Sequence, residues 1–282
     1  MPGVLYIVAT PIGNLQDISL RAIDTLKAAD LIAAEDTRHS ARLLDHLGIA
    51  TPMLSCHDHN ERQRGGEIID RLERGENVAL ISDAGTPLIS DPGFDLVRRA
   101  RAAGITVSPI PGASSVAAAL SAAGLPSDGF RFCGFLPAKG QERRRRLLAW
   151  LENRTTLVLF EASHRILDLL QLLNDEAPQT RIVVAKELTK RHERFMTGDA
   201  AELLVEMRAD PALAKGEFVV LIDNARRAEE RAINAEDARL LGILCAEMPV
   251  KTATKIAARI TGKSKNELYS LALETSGKRS PK

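Results

Sequence analysis

The sequence predicts an α/β protein of two domains followed by a small helical module. Three observations carry this. Short apolar runs such as 78–81 alternate with amphipathic segments at the spacing of a parallel sheet. Directly after that run Gly85, Pro87, Pro92 and Gly93 fall within nine residues, too dense a set of breakers for helix or strand. Beyond Pro126 the pattern changes, and segments 181–185 and 193–197 are spaced for antiparallel pairing. The expected units are 1–112, 113–224 and 235–275, with a hinge near 109–126.

In chain order, 4–9 reads as the first strand, broken by Thr10-Pro11-Ile12-Gly13-Asn14. A helix follows from about Ser19, with Leu20, Ile23 and Leu26 on one face. Strand 31–34 ends at Glu35-Asp36-Thr37-Arg38, and the next helix carries Leu43, Leu44 and Leu47 up to Gly48, a C-terminal stop. A short strand at 53–55 and the polar stretch His57-Asp58-His59-Asn60 precede helix 61–74. Asp83 lies just past the central run 78–81, where open α/β sheets place ligands. The 82–93 loop is longer than the roughly two to six residues usual for such connections. Its backbone polar groups need partners outside regular structure; the alternative is an ordinary strand–helix connection. Pro92 is placed as the first residue of helix 92–103, which Gly104 ends before strand 105–108.

Pro109-Ile110-Pro111-Gly112-Ala113-Ser114-Ser115 then opens a helix of small residues, 116–123. Small side chains and free N–H groups there admit close approach of a ligand, or simply cap a tightly packed helix. The second domain has expected strands at 130–135, 155–160, 181–185, 193–197 and 217–222, with helices near 141–152, 163–174 and 199–208. Residues 225–231 form a charged linker. In the last module, 252–260, a turn at 261–263 and 264–273 have helix-turn-helix spacing, with Ser264 as cap. The same spacing also serves plain helix packing. Residues 276–282 are expected to be disordered.

The formal net charge is +1, so global charge selects no partner. Its distribution is more telling: Lys139 and Arg143–Arg146 form one basic cluster, and from Lys251 onward eight Lys/Arg stand against two Glu. Such patches hold phosphate backbones. The three cysteines, Cys56, Cys133 and Cys245, are far apart and suggest neither a disulfide framework nor a metal cluster. A reducing cytoplasm is the compartment expected from such cysteines; the start of the chain reads without a basic leader, and no segment approaches the length of a membrane span. Aromatics are 4% of residues, which argues against extensive base-stacking platforms.

Two charged runs follow strands of the second domain, Glu161-Ala162-Ser163-His164-Arg165 and Lys186-Glu187-Leu188-Thr189-Lys190-Arg191-His192-Glu193. Each reads either as a solvated turn with ion pairs or as one wall of a cleft between domains. His164 is a base or a mere hydrogen-bonding partner. Neither a Ser-His-Asp order nor an HExxH motif is present, which leaves hydrolase and metal readings without support.

The loop 82–93 resembles the signature of the tetrapyrrole-methylase superfamily, in its ribosomal branch. Matching segments are Ala9-Thr10-Pro11-Ile12-Gly13-Asn14-Leu15, 35–38, 110–115, 160–165 and 186–190, so the resemblance spans about residues 3–223. The closest family is that of ribosomal RNA small subunit methyltransferase I, and the helical module fits it too. The resemblance implies two α/β domains of the class III methyltransferase type with a cofactor cleft between them. It also implies S-adenosylmethionine-dependent 2′-O-methylation of a cytidine in the decoding centre of 16S rRNA in the small ribosomal subunit, by a homodimer. One departure stands out: the glycine-rich first loop of the tetrapyrrole enzymes is here Ala9-Thr10-Pro11-Ile12-Gly13, which argues against a porphyrin-type substrate.

S-adenosylmethionine has no phosphate and needs no P-loop. Under the resemblance its expected contacts are Pro11, Asp83, Ala84, Gly85, Ile89, Ser114, Ser115 and Val116, with Phe160 and Ala185 on the opposite wall. The methyl is already activated, so alignment of the acceptor is much of the catalysis. A ribose hydroxyl is a poor acid, so a base and a positive neighbour would help. The candidates are Glu161 or Glu187 as base and Arg165, Lys186 or Lys190 as stabilisers. Expected RNA contacts are Arg143, Arg144, Arg145, Arg146, Lys251, Lys255, Lys263 and Lys265. Two other readings remain: the same fold and cofactor with a small-molecule or protein acceptor, and a nucleic-acid-binding regulator using helices 252–273.

Overall fold

The computed structural model describes residues 1–57, 60–138, 140–224 and 233–277. Two five-stranded sheets and a helical module make up the described residues. The first sheet comprises β1 (Val4–Val8), β2 (Leu31–Ala34), β3 (Met53–Ser55), β4 (Val78–Ile81) and β5 (Thr106–Ile110), in the order β3-β2-β4-β1-β5. All its pairings are parallel, so its loops after β1, β4 and β5 emerge at one edge. Alternate residues of β2 and β4 enter opposite cores. Leu31, Ala33, Val78 and Leu80 face one side, and Ile32, Ala34, Ala79 and Ile81 the other. That is why these strands read as unbroken apolar runs rather than alternating ones.

Local chemistry sets the helix ends. Ser19 caps α1 (Leu20–Ala28) by accepting the Ala22 N–H. Asp36 caps α2 (Thr37–Leu47), and Gly48, at φ 63°, closes it in the left-handed conformation that glycine tolerates. Helix α3 (Glu61–Glu73) precedes β4. Helix α4 spans Phe94–Ala102, so Pro92 is not its first residue: Gly93, at φ 120°, is the cap. A Cβ at Gly93 would lie 2.7 Å from Leu80 Cδ2, so the chain enters the helix too close to β4 for any side chain. The strand expected at 105–108 runs instead from Thr106 to Ile110.

The second sheet has β6 (Phe130–Phe135), β7 (Thr156–Ala162), β8 (Ile182–Lys186), β9 (Arg194–Gly198) and β10 (Glu217–Ile222), in the order β6-β7-β10-β8-β9. Strands β6 and β7 are parallel and the other pairs antiparallel, including the expected β8–β9 hairpin. One face packs Leu157, Leu159, Ile182, Val184, Val220 and Ile222 against α6 (Gly140–Leu151), α7 (Ile166–Glu176) and α8 (Ala200–Ala209). The other face holds Val158, Val183, Ala185, Val219 and Leu221 under α5 (Ser115–Ala123), through Val116, Ala119, Leu120 and Ala123.

The last module is α9 (Ala235–Glu247), α10 (Val250–Thr261) and α11 (Lys265–Gly277), packed around Leu241, Ala257, Leu268 and Ala272. The turn at Gly262 (φ 69°) and Ser264, whose hydroxyl accepts the Glu267 N–H, give the helix-turn-helix spacing read from the sequence. Ser276 and Gly277 close α11; the rest of the expected disordered end, 278–282, lies outside the described residues, as do linker 225–231, Asp58, His59 and Lys139. No described helix is long and apolar enough to cross a membrane.

Candidate functional site

Three loops at the carboxyl edge of the first sheet are locked together. Thr10 and Gly85 exchange both backbone hydrogen bonds (2.9 and 3.0 Å), and the buried Thr10 hydroxyl donates to the Ser82 carbonyl at 3.1 Å. The Thr86 hydroxyl donates to the Ala113 carbonyl, tying the 82–93 loop to the entrance of α5. A Cβ on Gly112 would lie 2.9 Å from the Ala9 Cβ, so the third loop sits directly against the first. Thr10 thus satisfies both backbone groups of Gly85 and the carbonyl of Ser82.

Across from these loops lies the turn between β8 and β9. A Cβ on Gly13 would meet Lys190 Cγ at 2.5 Å, so the first loop rests on that turn. Five non-glycine residues among those described have positive φ, and four of them stand on these two facing segments: Leu88 and Ser90 on one, Glu187 and Thr189 on the other. Each such conformation costs on the order of 1 kcal/mol, and such strain gathers at ligand sites.

Between the two sheets the structure has a cleft of about 350 Å³, within the range of small-molecule sites. The loops of the first sheet contribute Ile12, Ala84, Ser90 and Asp91, the start of α5 contributes Ser115, and the second sheet and its loops contribute Phe135, Phe160, Glu161, Ala185, Leu188 and Glu217 among others. Its lining includes three carboxylates and neither lysine nor arginine.

Glu161 is the most constrained group of the site. Its side chain is fully buried. Its Oε2 accepts from Arg143 Nη2 at 2.8 Å, and its Oε1 accepts the Ala162 N–H at 3.0 Å. Arg165 Nε lies 3.0 Å from the same Oε1 as an ionic contact without an aligned N–H. The two arginines then donate onward to backbone carbonyls, Arg165 to Leu136 and Pro137 and Arg143 to Pro137. One carboxylate thereby holds two guanidinium groups, and these hold the turn after β6.

The expected cofactor contacts divide. Ala84, Ser115, Phe160 and Ala185 all line the cleft. Asp83 is drawn into the fold: its Oδ1 accepts the Asp36 N–H at 3.1 Å, linking the ends of β2 and β4. Both backbone groups of Gly85 are taken by Thr10, and Val116 packs into the core beneath α5. Pro11, Ile89 and Ser114 lie on the same loops but outside the lining, Ile89 with its side chain exposed.

Among the expected catalytic groups, Glu161 alone lines the cleft. Glu187 accepts from the Glu217 N–H (2.9 Å) and Lys190 Nζ (3.1 Å). Burial works to raise its pKa, but those two donors outweigh it and hold the carboxyl below its ordinary value. Lys190 also binds Glu217 at 2.9 Å. Lys186 is buried at the last position of β8, Arg165 stands behind Glu161, and His164 is exposed.

Two expected RNA contacts are corrected. Arg143 is 6% exposed and committed to Glu161, so it offers nothing to a phosphate. Lys263 is mostly buried, with Nζ 3.6 Å from Asp237. Arg144, Arg145 and Arg146 do reach the surface, paired with Glu176 or Glu142. Lys251, Lys255 and Lys265 are exposed on the helical module.

The sequence reading missed Asp91, Phe135, Leu188 and Glu217. Asp91 lies inside the loop already singled out, and Phe135 at the carboxyl end of a strand, so position was the available signal for both. Glu217 begins β10, and only the antiparallel pairing of β10 with β7 and β8 brings a strand's start to this edge.

The thiols play no visible part. Burial pushes Cys56 up to about 11, with the Glu61 carboxylate adding to it. Burial likewise pushes Cys133 to about 11, against an opposing pull from Arg131. Since the thiolate is the reactive form, iodoacetamide at about pH 7.5 is expected to leave both unmodified in the native protein and to label them after denaturation. Mass spectrometry of tryptic peptides checks this, and rapid native labelling of either contradicts it.

The family model of the Tetrapyrrole (Corrin/Porphyrin) Methylases matches residues 4–204, and that of the RsmI C-terminal HTH domain matches residues 231–276. The chain is 54% identical over 278 residues to the ribosomal RNA small subunit methyltransferase I of Pseudomonas aeruginosa, covering 98% of this chain and 99% of that one. It is 48% identical over 276 residues to the protein of that name from Escherichia coli O157:H7, covering 98% and 96%. The chain belongs to the tetrapyrrole methylase family, in its ribosomal RNA small subunit methyltransferase I branch. Solved structures of tetrapyrrole methylase fold show the same architecture at low identity. Diphthine synthase aligns with a TM-score of 0.62 and 16% identity over 78% of this chain and 89% of its own. Uroporphyrin-III-C-methyltransferase from Thermus thermophilus aligns with a TM-score of 0.53 and 20% identity over 81% and 98%.

Proposed function

We propose that this methylase family member transfers a methyl group from S-adenosylmethionine to the 2′-hydroxyl of a cytidine in the decoding centre of 16S rRNA, with the small ribosomal subunit as substrate. One observation supports it above others: the cleft between the sheets, in a chain that matches ribosomal RNA methyltransferases from end to end. The lining suits this cofactor. The wall is largely apolar, through Ile12, Phe160, Ala185, Leu188 and Val219, and presents no lysine or arginine to a phosphate. Of its carboxylates, Glu161 is paired with Arg143 and Arg165, and Glu217 with Lys190. When bound, S-adenosylmethionine supplies a methyl already activated by its sulfonium. Ala84 and Ser115 on one wall and Phe160 and Ala185 on the other would hold it.

The chain's remaining task is to align the acceptor and to receive its proton. Both oxygens of Glu161 are engaged, which makes it a positioning residue rather than the base first expected. Glu187, held ionised by its two donors, is a weak proton acceptor. The other carboxylates that line the cleft are Asp91 and Glu217, the latter paired with Lys190. Lys190, bridging Glu187 and Glu217, steadies that rim. The exposed Lys251, Lys255 and Lys265, with Arg144–Arg146, supply phosphate contacts. A cytoplasmic location follows from a ribosomal substrate, and a homodimer from the family resemblance.

The test is transfer from labelled S-adenosylmethionine to small ribosomal subunits from cells lacking this protein, followed by digestion and mass spectrometry. Label in 2′-O-methylcytidine is expected. Label absent from RNA, with cofactor binding intact, would move the acceptor to another class; the same fold serves proteins of different names, a uroporphyrin-III-C-methyltransferase and a diphthine synthase.

A further inference from the structure

Phe135 is a large aromatic side chain left 52% exposed beside a ligand cleft, on the edge strand of the second sheet. Its placement is built. Phe132 and Phe135 are three positions apart, so a regular strand would point them to opposite faces. A bulge intervenes: Phe132 pairs with Val158 and Gly134 with Leu159, leaving Cys133 as the extra residue. Gly134 takes φ 63°, a conformation open to glycine. The shift puts both rings against Phe160, with centroids 4.9 Å away for Phe132 and 5.5 Å for Phe135, each edge to face. Phe132 and Phe160 are packed into the core under α5, whereas Phe135 stands proud of it.

The turn behind Phe135 is fixed as well. Arg165 and Arg143 hold the carbonyls of Leu136 and Pro137, the two residues that follow it, and both arginines are anchored on buried Glu161. An exposed ring on so rigid a support loses little entropy when it meets a flat partner.

We propose that Phe135, braced by Phe160, is the platform on which the unstacked base of the target nucleotide rests while its ribose enters the cleft. This deepens the methyl-transfer reading and rests on it. A ribose hydroxyl held in a cleft requires its base to leave its stack, and aromatic side chains are the usual support for splayed bases. The alternative flat occupant, the cofactor's adenine, fits less well. Ala185, Val219 and Leu188, at 0%, 5% and 8% exposure, form the enclosed wall suited to a small cofactor, while Phe135 stands at the open side where a polymer must approach.

The experiment compares the intact protein with Phe135→Ala, Phe135→Leu and Phe135→Tyr, by steady-state methyl transfer to unmodified small subunits and by calorimetric binding of S-adenosylmethionine. Phe135→Ala and Phe135→Leu are expected to lose roughly 10- to 100-fold in kcat/KM for the RNA substrate, with cofactor affinity within about twofold. Phe135→Tyr, which keeps the ring, is expected to stay within about threefold of the wild type. Three results would overturn the proposal: kcat/KM of Phe135→Ala within about twofold of wild type, Phe135→Leu as good as Phe135→Tyr, or cofactor affinity falling in step with turnover. If the wild-type protein itself transfers no label to RNA, the underlying reading fails first and takes the platform with it.

Discussion

Glu161→Ala is expected to destabilise the second domain by about 3–5 kcal/mol, the usual cost of breaking a buried ion pair by removing one partner. The carboxylate is fully buried, and its loss strands Arg143, whose side chain is 7% exposed, and Arg165, at 15%. Both guanidinium groups are thus largely withdrawn from water and would lose their carboxylate partner together. Thermal denaturation should show a fall on the order of 10 °C in the domain's transition. Glu161→Gln keeps an acceptor but not the charge and should fall between wild type and Glu161→Ala. Replacing Arg143 and Glu161 together by Met and Leu should recover part of the loss, since matched apolar side chains replace a buried pair at little cost. A fall below about 1 kcal/mol in Glu161→Ala would mean that the arginines find other partners or solvent.

Ala84→Trp is expected to abolish S-adenosylmethionine binding, a loss of roughly 100-fold or more, while the fold persists. Ala84 lines the cleft yet is exposed, so an indole there projects into a space of about 350 Å³ rather than into the core. Surface substitutions away from caps and buried networks usually move stability by less than about 0.5 kcal/mol. The melting temperature should therefore hold while calorimetry shows no cofactor binding. Binding within about fivefold of wild type would place the cofactor elsewhere than against the 82–93 loop.

Much of this molecule is local and so was legible in the chain. Strands β2 and β4 are apolar throughout because both faces of a parallel sheet are buried. Ser19, Gly48 and Ser264 mark helix ends through hydrogen bonds and φ angles that reach only a few residues away. The importance of 82–93 was readable from its density of breakers. Its lining residues Ser90 and Asp91 were not separable from Asp83, because only the folded loop shows which side chains turn outward and which tie strands together.

Tertiary structure decided the rest, and the physical reasons differ by residue. Four consecutive arginines look alike in sequence, but helix α6 has one inward face, and Arg143 occupies it opposite a carboxylate 18 positions away. That Asp83 also ties the chain after β4 to the cap of α2, accepting the Asp36 amide across 47 residues, is visible only in the fold. Glu217 reaches the cleft because β10 runs against its neighbours, and Phe135 because one extra residue in β6 reverses its side. Pairing direction, bulge register and which charge meets which partner are set between distant segments. Sequence alone determined the elements, their order and the loops that matter. Packing between the two sheets decided which side chains line the site, because that choice follows from long-range contacts that no local pattern encodes.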